Sequence, residues 1–293
     1  MYKGLVDNSK SQPCLRIRVM VAGSVNSRKS EFVESFFSRR ISYSNWKTEG
    51  EYRVRSCRIG STPFEFAVKM IESLDFDRHE ENWSDALEKE LKKRIKSSAE
   101  KKKKQILTQP VQEAIKDRDE CIHFLIYCLQ GAGLSSSETL NLKKLESLVH
   151  LIPVYCLRNP LPNEETNSLK QMFQKNKGVQ SINWLGGDHR GNKLKSDFPI
   201  IIATKSHSGK ELNTNGHLEE KETQRVKKID DFSKLEMILT EEFGTIGVSS
   251  SEKRIDRMLQ KQHEDSGIIK GLFTGLALGV GATVALISSK KFS

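Results

Sequence analysis

At 293 residues, the chain is long enough for one large α/β domain with appendages. Its formal charge of +10 and pI near 9.3 predict an anionic partner, and charge alone does not choose among nucleic acid, acidic protein and anionic lipid. The five cysteines form no C-x-x-C pair and the seven histidines no H-E-x-x-H spacing. This pattern argues for reduced core thiols in a cytosol-facing domain and against a zinc site.

Met1–Pro13 is polar and has no apolar signal core, so residues 1–14 read as an N-terminal tail. Leu15–Ala22 is a short apolar run that predicts a buried strand. It breaks at Gly23 into a polar loop ending Arg28-Lys29-Ser30, and Phe32, Val33, Phe36 and Phe37 then recur with helical spacing. Strand, loop, Lys-Ser and helix is the layout of a phosphate-cradling P-loop, G-x-x-x-x-G-K-S. In a working loop Lys29 would reach the β- and γ-phosphates and Ser30 would hold Mg²⁺. The second glycine of that pattern is Arg28 here.

Glu51–Gly60 and Pro63–Ile71 alternate apolar and polar residues and predict a strand pair turning around Gly60-Ser61. The following residues, Lys69-Met70-Ile71-Glu72-Ser73-Leu74-Asp75, lack the glycine of an Asp-x-x-Gly motif, and that element reads as missing. Asn82–Lys104 predicts a charged helix, with Ser84 as its cap and Leu87, Leu91 and Ile95 as its apolar stripe. Its other faces carry Lys89, Lys92, Lys93, Arg94 and Lys96 and lead into Lys101, Lys102, Lys103 and Lys104. Such a run is either a solvated face or a patch for anionic lipid or nucleic acid. Lys101–Lys104 are the lipid-contact candidates. Pro110 interrupts before a short helix around Val111–Lys116.

Cys121–Leu129 is a nearly continuous apolar run, as expected of a central parallel strand. Leu140–Val149 predicts a helix, Leu151–Leu157 a strand, Pro162–Phe173 a helix, Phe198–Ala203 a strand and Asp231–Phe243 a helix. This alternation predicts a three-layer α/β domain over 15–243 with a mostly parallel central sheet. The loop at Gly23 would lie at the carboxyl edge of that sheet, where such folds bind ligands. Ser206–Lys228 reads as an exposed loop, and 244–267 as a polar linker with a helix at Glu252–His263.

Gly271–Ser289 contains no charged residue and is long enough to span a bilayer. A buried core helix is the alternative, disfavoured because Gly275, Gly279 and Gly281 weaken a helix in water. Gly271, Gly275 and Gly279 lie four apart, the small-residue face that lets membrane helices touch. With only a basic tail (290–293) after it, residues 268–289 are expected to form a transmembrane tail anchor inserted after translation. The moderate hydrophobicity and basic flanks favour the mitochondrial outer membrane, with the endoplasmic reticulum as the alternative.

Several segments, taken in order, resemble one family. These are Asn82-Trp83 before the charged helix; Arg118–Tyr127 followed by Gly131-x-Gly133-Leu134; Leu140–Val149 leading into Leu151-Ile152-Pro153-Val154; Phe198–Ile202; and Asp231-Phe232-Ser233-Lys234-Leu235. Over roughly Leu15–Phe243 the chain resembles the septins. Another tail-anchored P-loop GTPase family, the immunity-associated GTPases, is the alternative. The septin resemblance implies a P-loop GTPase fold, GTP or GDP with Mg²⁺ as ligand, and pairing with itself or with septin-like proteins.

The chain departs from the family at the nucleotide motifs. Gly23, Lys29 and Ser30 are kept, Asn26 replaces a glycine at a position asparagine tolerates, and Arg28 places a Cβ where backbone must approach phosphate. The guanine-selecting A-K-A-D becomes Cys156-Leu157-Arg158-Asn159. Arg158 would replace the lysine over the base. Asn159 would present a donor beside its one acceptor to guanine. The resulting expectation is a septin-like pseudo-GTPase with no nucleotide, or with weakly bound GTP or GDP and Mg²⁺ on Ser30, acting as a scaffold on an organelle membrane. The alternative is a slow but working GTP-binding switch. Nucleic acid is not the expected partner, because no aromatic platform or recognition motif accompanies the lysines.

Overall fold

The computed structural model describes residues 15–23, 26–40, 43–50, 52–61, 64–73, 83–108, 120–185, 198–204, 231–242 and 244–266. The N-terminal tail, the short helix expected at Val111–Lys116, the Ser206–Lys228 loop and the expected span at 268–289 lie outside these residues. Among the described residues, no helix is long and apolar enough to cross a membrane.

Seven strands form one sheet in the order β2-β3-β4-β1-β5-β6-β7. Here β1 is Leu15–Gly23, β2 Lys47–Glu49, β3 Tyr52–Ser61, β4 Phe64–Ser73, β5 Phe124–Leu129, β6 His150–Leu157 and β7 Ile200–Ala203. β1 pairs parallel with both β4 and β5, and β5–β6 and β6–β7 are also parallel. β3 joins antiparallel to β4, as its alternating pattern predicts, and β2 extends that edge. The short β2 has all three residues exposed, so no hydrophobic period could reveal it. β5, by contrast, is buried at every position, as a strand covered on both faces must be.

The chain leaves β1, builds the β2–β4 side, and then crosses to β5 on the other side. The loop after β1 therefore sits at a topological switch point. α1 (Lys29–Ser38) follows that loop and buries Phe32, Val33, Phe36 and Phe37. Phe36 meets Phe232 of α6 (Phe232–Met237) with ring centroids 5.5 Å apart, so α1 and α6 share one layer. α2 (Trp83–Thr108) belongs to the other layer, with Trp83 stacked on Tyr127 at 5.5 Å. Adjacent residues of a strand point to opposite faces, and Cys128, the next residue, feels the charge of Lys29 on α1.

Three helices differ from their sequence-based expectations. Ser84 is not the cap of α2: it lies within the first turn, buried, and donates to Asn141 Oδ1 at 2.9 Å. α3 is Ser136–Leu145, four residues earlier than expected, because Ser135 and Glu138 form a capping box that starts it. The expected polar linker is a 23-residue helix, α7 (Gly244–Ser266). Gly247 lies against Phe124 and His123, where an added Cβ would stand 2.8 Å from the Phe124 ring. Further along α7, Ile255 and Leu259 join Ile95 and Ala99 of α2 and Cys121 in a satellite core. The remaining helices are α4 (Asn163–Lys175) and the four-residue α5 (Lys177–Gln180). After α6 the helix widens into a π segment, Ile238–Glu242.

Candidate functional site

Gly23 ends β1 where side chains have no room. A Cβ there would lie 2.4 Å from Ser27 Oγ and 2.6 Å from the Cys128 carbonyl oxygen. The loop returns at Arg28, whose backbone is left-handed (φ 58°, ψ 30°). That conformation is free for glycine and costs an L-residue about 1–2 kcal/mol. Arg28 thus keeps the glycine's backbone while its side chain reaches outward to Glu31, 3.4 Å away. Glu31 also accepts from Thr204 Oγ1 at 3.2 Å, which ties the loop to the end of β7.

Two residues on, the site acquires a partner the sequence did not announce. Ser30 Oγ donates to Glu72 Oε1 at 2.5 Å. Glu72 stands near the end of β4, opposite Val21 of β1 in the register, and its side chain is 1% exposed. It holds the place of a Walker-type acidic residue, but with no glycine after it. The missing glycine hid it. A glutamate at the end of an alternating strand was the available signal; its burial and its bond to Ser30 come from the fold.

Glu72 is not free to serve a metal. Arg53 Nη2 of β3 pairs with Glu72 Oε2 at 2.7 Å, and the Arg53 guanidinium lies over the Trp46 ring at 4.8 Å. A P-loop serine and an acidic residue ordinarily share Mg²⁺ between them. Here the acid's charge is already answered by a fixed cation, and a dication at the serine would meet that cation at close range. The donor set therefore does not fit Mg²⁺. The phosphate side is better kept: Lys29 is buried at the head of α1, whose first turn receives no side-chain cap from Arg28.

Lys29 also lies beside a buried thiol pair. The Cys156 thiol donates to Cys128 Sγ at 3.8 Å, and burial raises the Cys128 thiol pKa well above its ordinary value. Cys57, Cys121, Cys128 and Cys156 are all unbridged and buried. Cys14 lies outside the described residues.

The expected base-reading pair follows β6 on the same carboxyl edge. Arg158 and Asn159 are both exposed, and neither side chain is engaged with another described residue. The lipid-contact candidates are divided by the structure. Lys101 pairs with Glu120, and Lys102 pairs with Asp256 of α7 at 2.6 Å. These two lysines hold α2 to its neighbours. Lys103 and Lys104 stand on exposed positions. Gly271, Gly275 and Gly279 lie outside the described residues.

No family model matches the sequence, and no curated protein does. Among solved structures, a septin GTPase domain from Chlamydomonas reinhardtii is similar, with a TM-score of 0.53 and 12% identity. The match covers 84% of this chain and 98% of that one. The chain therefore has a septin-like P-loop GTPase fold. At that identity the likeness speaks to the fold alone.

Proposed function

We propose that this protein is a septin-like pseudo-GTPase that serves as a membrane-bound scaffold, pairing with itself or with septin-like partners through its G domain. The observation that carries the "pseudo" reading is the Arg53–Glu72 pair, which fills with a guanidinium the charge that catalysis would assign to a metal. The Asn159 substitution weakens guanine selection independently. Membrane attachment rests on the uncharged run Gly271–Ser289, with the mitochondrial outer membrane as the favoured site and the endoplasmic reticulum as the rival.

The deciding experiment is to purify the full chain in mild detergent, denature it and quantify released nucleotide by chromatography. Little or no guanine nucleotide is expected, and hydrolysis no faster than background. One guanine nucleotide per chain, retained only with Mg²⁺, would overturn the reading in favour of a slow GTP-binding switch. That second reading draws on one observation, the glycine-like backbone of Arg28. It requires Lys29→Ala to abolish nucleotide retention. For the anchor, a fluorescent reporter fused to residues 266–293 is expected on mitochondria and resistant to alkaline extraction. Reticular staining would move the assignment to the endoplasmic reticulum, and a soluble reporter would remove the anchor.

A further inference from the structure

Two cysteines meet where β5 and β6 end. Cys128 is the next-to-last residue of β5 and stands opposite Val154 of β6 in the parallel register. Cys156, two residues past Val154, falls on the same face of the sheet because strand side chains alternate. The two sulfurs are 3.8 Å apart, with the Cys156 thiol donating to Cys128 Sγ. Both residues are buried, and neither is bridged.

That spacing suits a single soft metal ion. A metal–thiolate bond of about 2.3 Å sets two sulfurs about 3.8 Å apart at a tetrahedral angle and about 4.6 Å apart in a straight line. The observed pair therefore matches the first arrangement and needs less than about 1 Å of opening for the second. The surroundings choose between them. A tetrahedral ion such as Zn²⁺ needs two further ligands, and among the described residues no group of three or more His, Cys, Asp and Glu side chains is placed to hold a metal. Glu72, an acid whose charge acts on Cys128, is engaged with Ser30 and Arg53. An ion satisfied by two sulfurs in a line is left, and among the metals that thiolates select that ion is Cu(I).

Charge gives a second reason. Two thiolates around Cu(I) carry a net charge of −1, and a buried charge is costly without an opposite one beside it. Lys29 is buried at the head of α1 and acts electrostatically on Cys128. The anionic complex and this ammonium together are neutral.

We propose that Cys128 and Cys156 form a two-coordinate Cu(I) site, with Lys29 as its counter-charge. Binding breaks both S–H bonds, forms two Cu–S bonds and releases two protons to solvent. The copper enters and stays as Cu(I), so no electron is transferred. The site lies beneath the loop after β1, where Gly23 stands opposite Cys128. Cys156, 6% exposed, is the sulfur nearer to solvent. Neither a nucleotide nor a membrane is needed to form it.

The test uses the full chain in mild detergent under nitrogen, titrated with Cu(I) alone against bathocuproine disulfonate, a coloured Cu(I) chelator. Wild type is expected to withhold one Cu(I) per chain. X-ray absorption at the copper edge should then show two sulfur neighbours and no nitrogen. Cys128→Ser and Cys156→Ser are each expected to weaken binding by more than the roughly hundredfold that loss of a supporting residue costs, and Lys29→Met by about tenfold. Replacing Cys14, Cys57 and Cys121 together with serine is expected to leave binding within about twofold. Circular dichroism certifies the fold of each variant, and the wild-type absorption spectrum decides the ligand set where a variant does not fold.

No copper withheld by wild type would overturn the site. So would a copper with nitrogen or with three sulfur neighbours, or loss of copper through the Cys14/Cys57/Cys121 variant with retention in the other two. Displacement of the copper by an equal concentration of Zn²⁺ would overturn the two-coordinate assignment. Undiminished binding by Lys29→Met would overturn the lysine's role as counter-charge.

Discussion

The two ends of the sheet treat charge in opposite ways. At the carboxyl end of β1, Ser30 donates to Glu72 and Arg53 Nη2 pairs with it, so the buried acid is answered, while Arg53 Nε has no hydrogen-bond partner among the described residues. Arg28 and Glu31 form a second, more exposed ion pair. Between α2 and α7, beyond the amino ends of the strands, seven cations surround an apolar floor with few acids to answer them. The buried acid beside the loop after β1 is answered by a cation of the fold, while Lys89, Lys96, Arg257 and Lys261 between α2 and α7 form no ion pair among the described residues.

The closed end can be broken most severely at Glu72. Replacing Glu72 with alanine leaves Arg53 without its buried partner and is expected to cost about 3 kcal/mol, read from the denaturant midpoint at constant slope. Arg53→Gln is the sharper companion. It frees the carboxylate, and Mg²⁺-dependent retention of a guanine nucleotide should then appear if Arg53 is what excludes the metal. No Mg²⁺ effect in that variant would break the assignment of Arg53 as the occupant.

The next largest effect is expected at Gly23. An alanine there presses on Ser27 Oγ and the Cys128 carbonyl, and overpacking of this kind costs roughly 1–3 kcal/mol. Unfolding measurements on Gly23→Ala check it, and an unchanged midpoint would mean the loop relaxes freely.

Arg28→Gly should move the other way. It releases the left-handed strain and is expected to stabilise the fold by about 1 kcal/mol, since the exposed Arg28–Glu31 pair contributes little. A destabilised variant would show that the arginine side chain matters more than its backbone.

The smallest effect lies near the open groove, at Glu120. Its hydrogen bond from Lys101 holds its pKa below the ordinary 4.5, against the opposing effect of burial. A depressed carboxylate contributes stability at neutral pH and loses it as pH falls through the folded-state value. Glu120→Gln should flatten the acid limb of the stability–pH curve and leave the curve above pH 6 nearly parallel to wild type. An identical acid limb would show that Lys101 is not its partner in solution.

Patterns of hydrophobicity and spacing made much of this protein legible. The uninterrupted run Cys121–Leu129, the alternation of Glu51–Gly60 with Pro63–Ile71, and the Phe32/Phe36 stripe each bury a face at their own period. That is enough to specify strand, hairpin and helix, and Gly23 with Lys29-Ser30 located the loop. Where burial is absent the signal fails, as at the exposed β2. It fails too where polar residues take a helix's outer faces, and α7 was read as a linker for that reason. Its buried contacts, Gly247, Ile255 and Leu259, are sparse in a polar sequence and make sense only against Phe124 and Ile95.

The site divides along the same line. Local chemistry was enough to place the P-loop and its damaged glycine, because a turn and a helix start are made by neighbours in sequence. Glu72 and Arg53 lie 42 and 23 residues from Ser30, and only the pairing of β1, β3 and β4 brings the three together. The lysines of α2 could be counted from the sequence. Which of them are paired with Glu120 and Asp256, and which face Arg254 and Arg257 across a groove, was decided by the packing of two distant helices, because a charge is neutralised or exposed only by what folds against it.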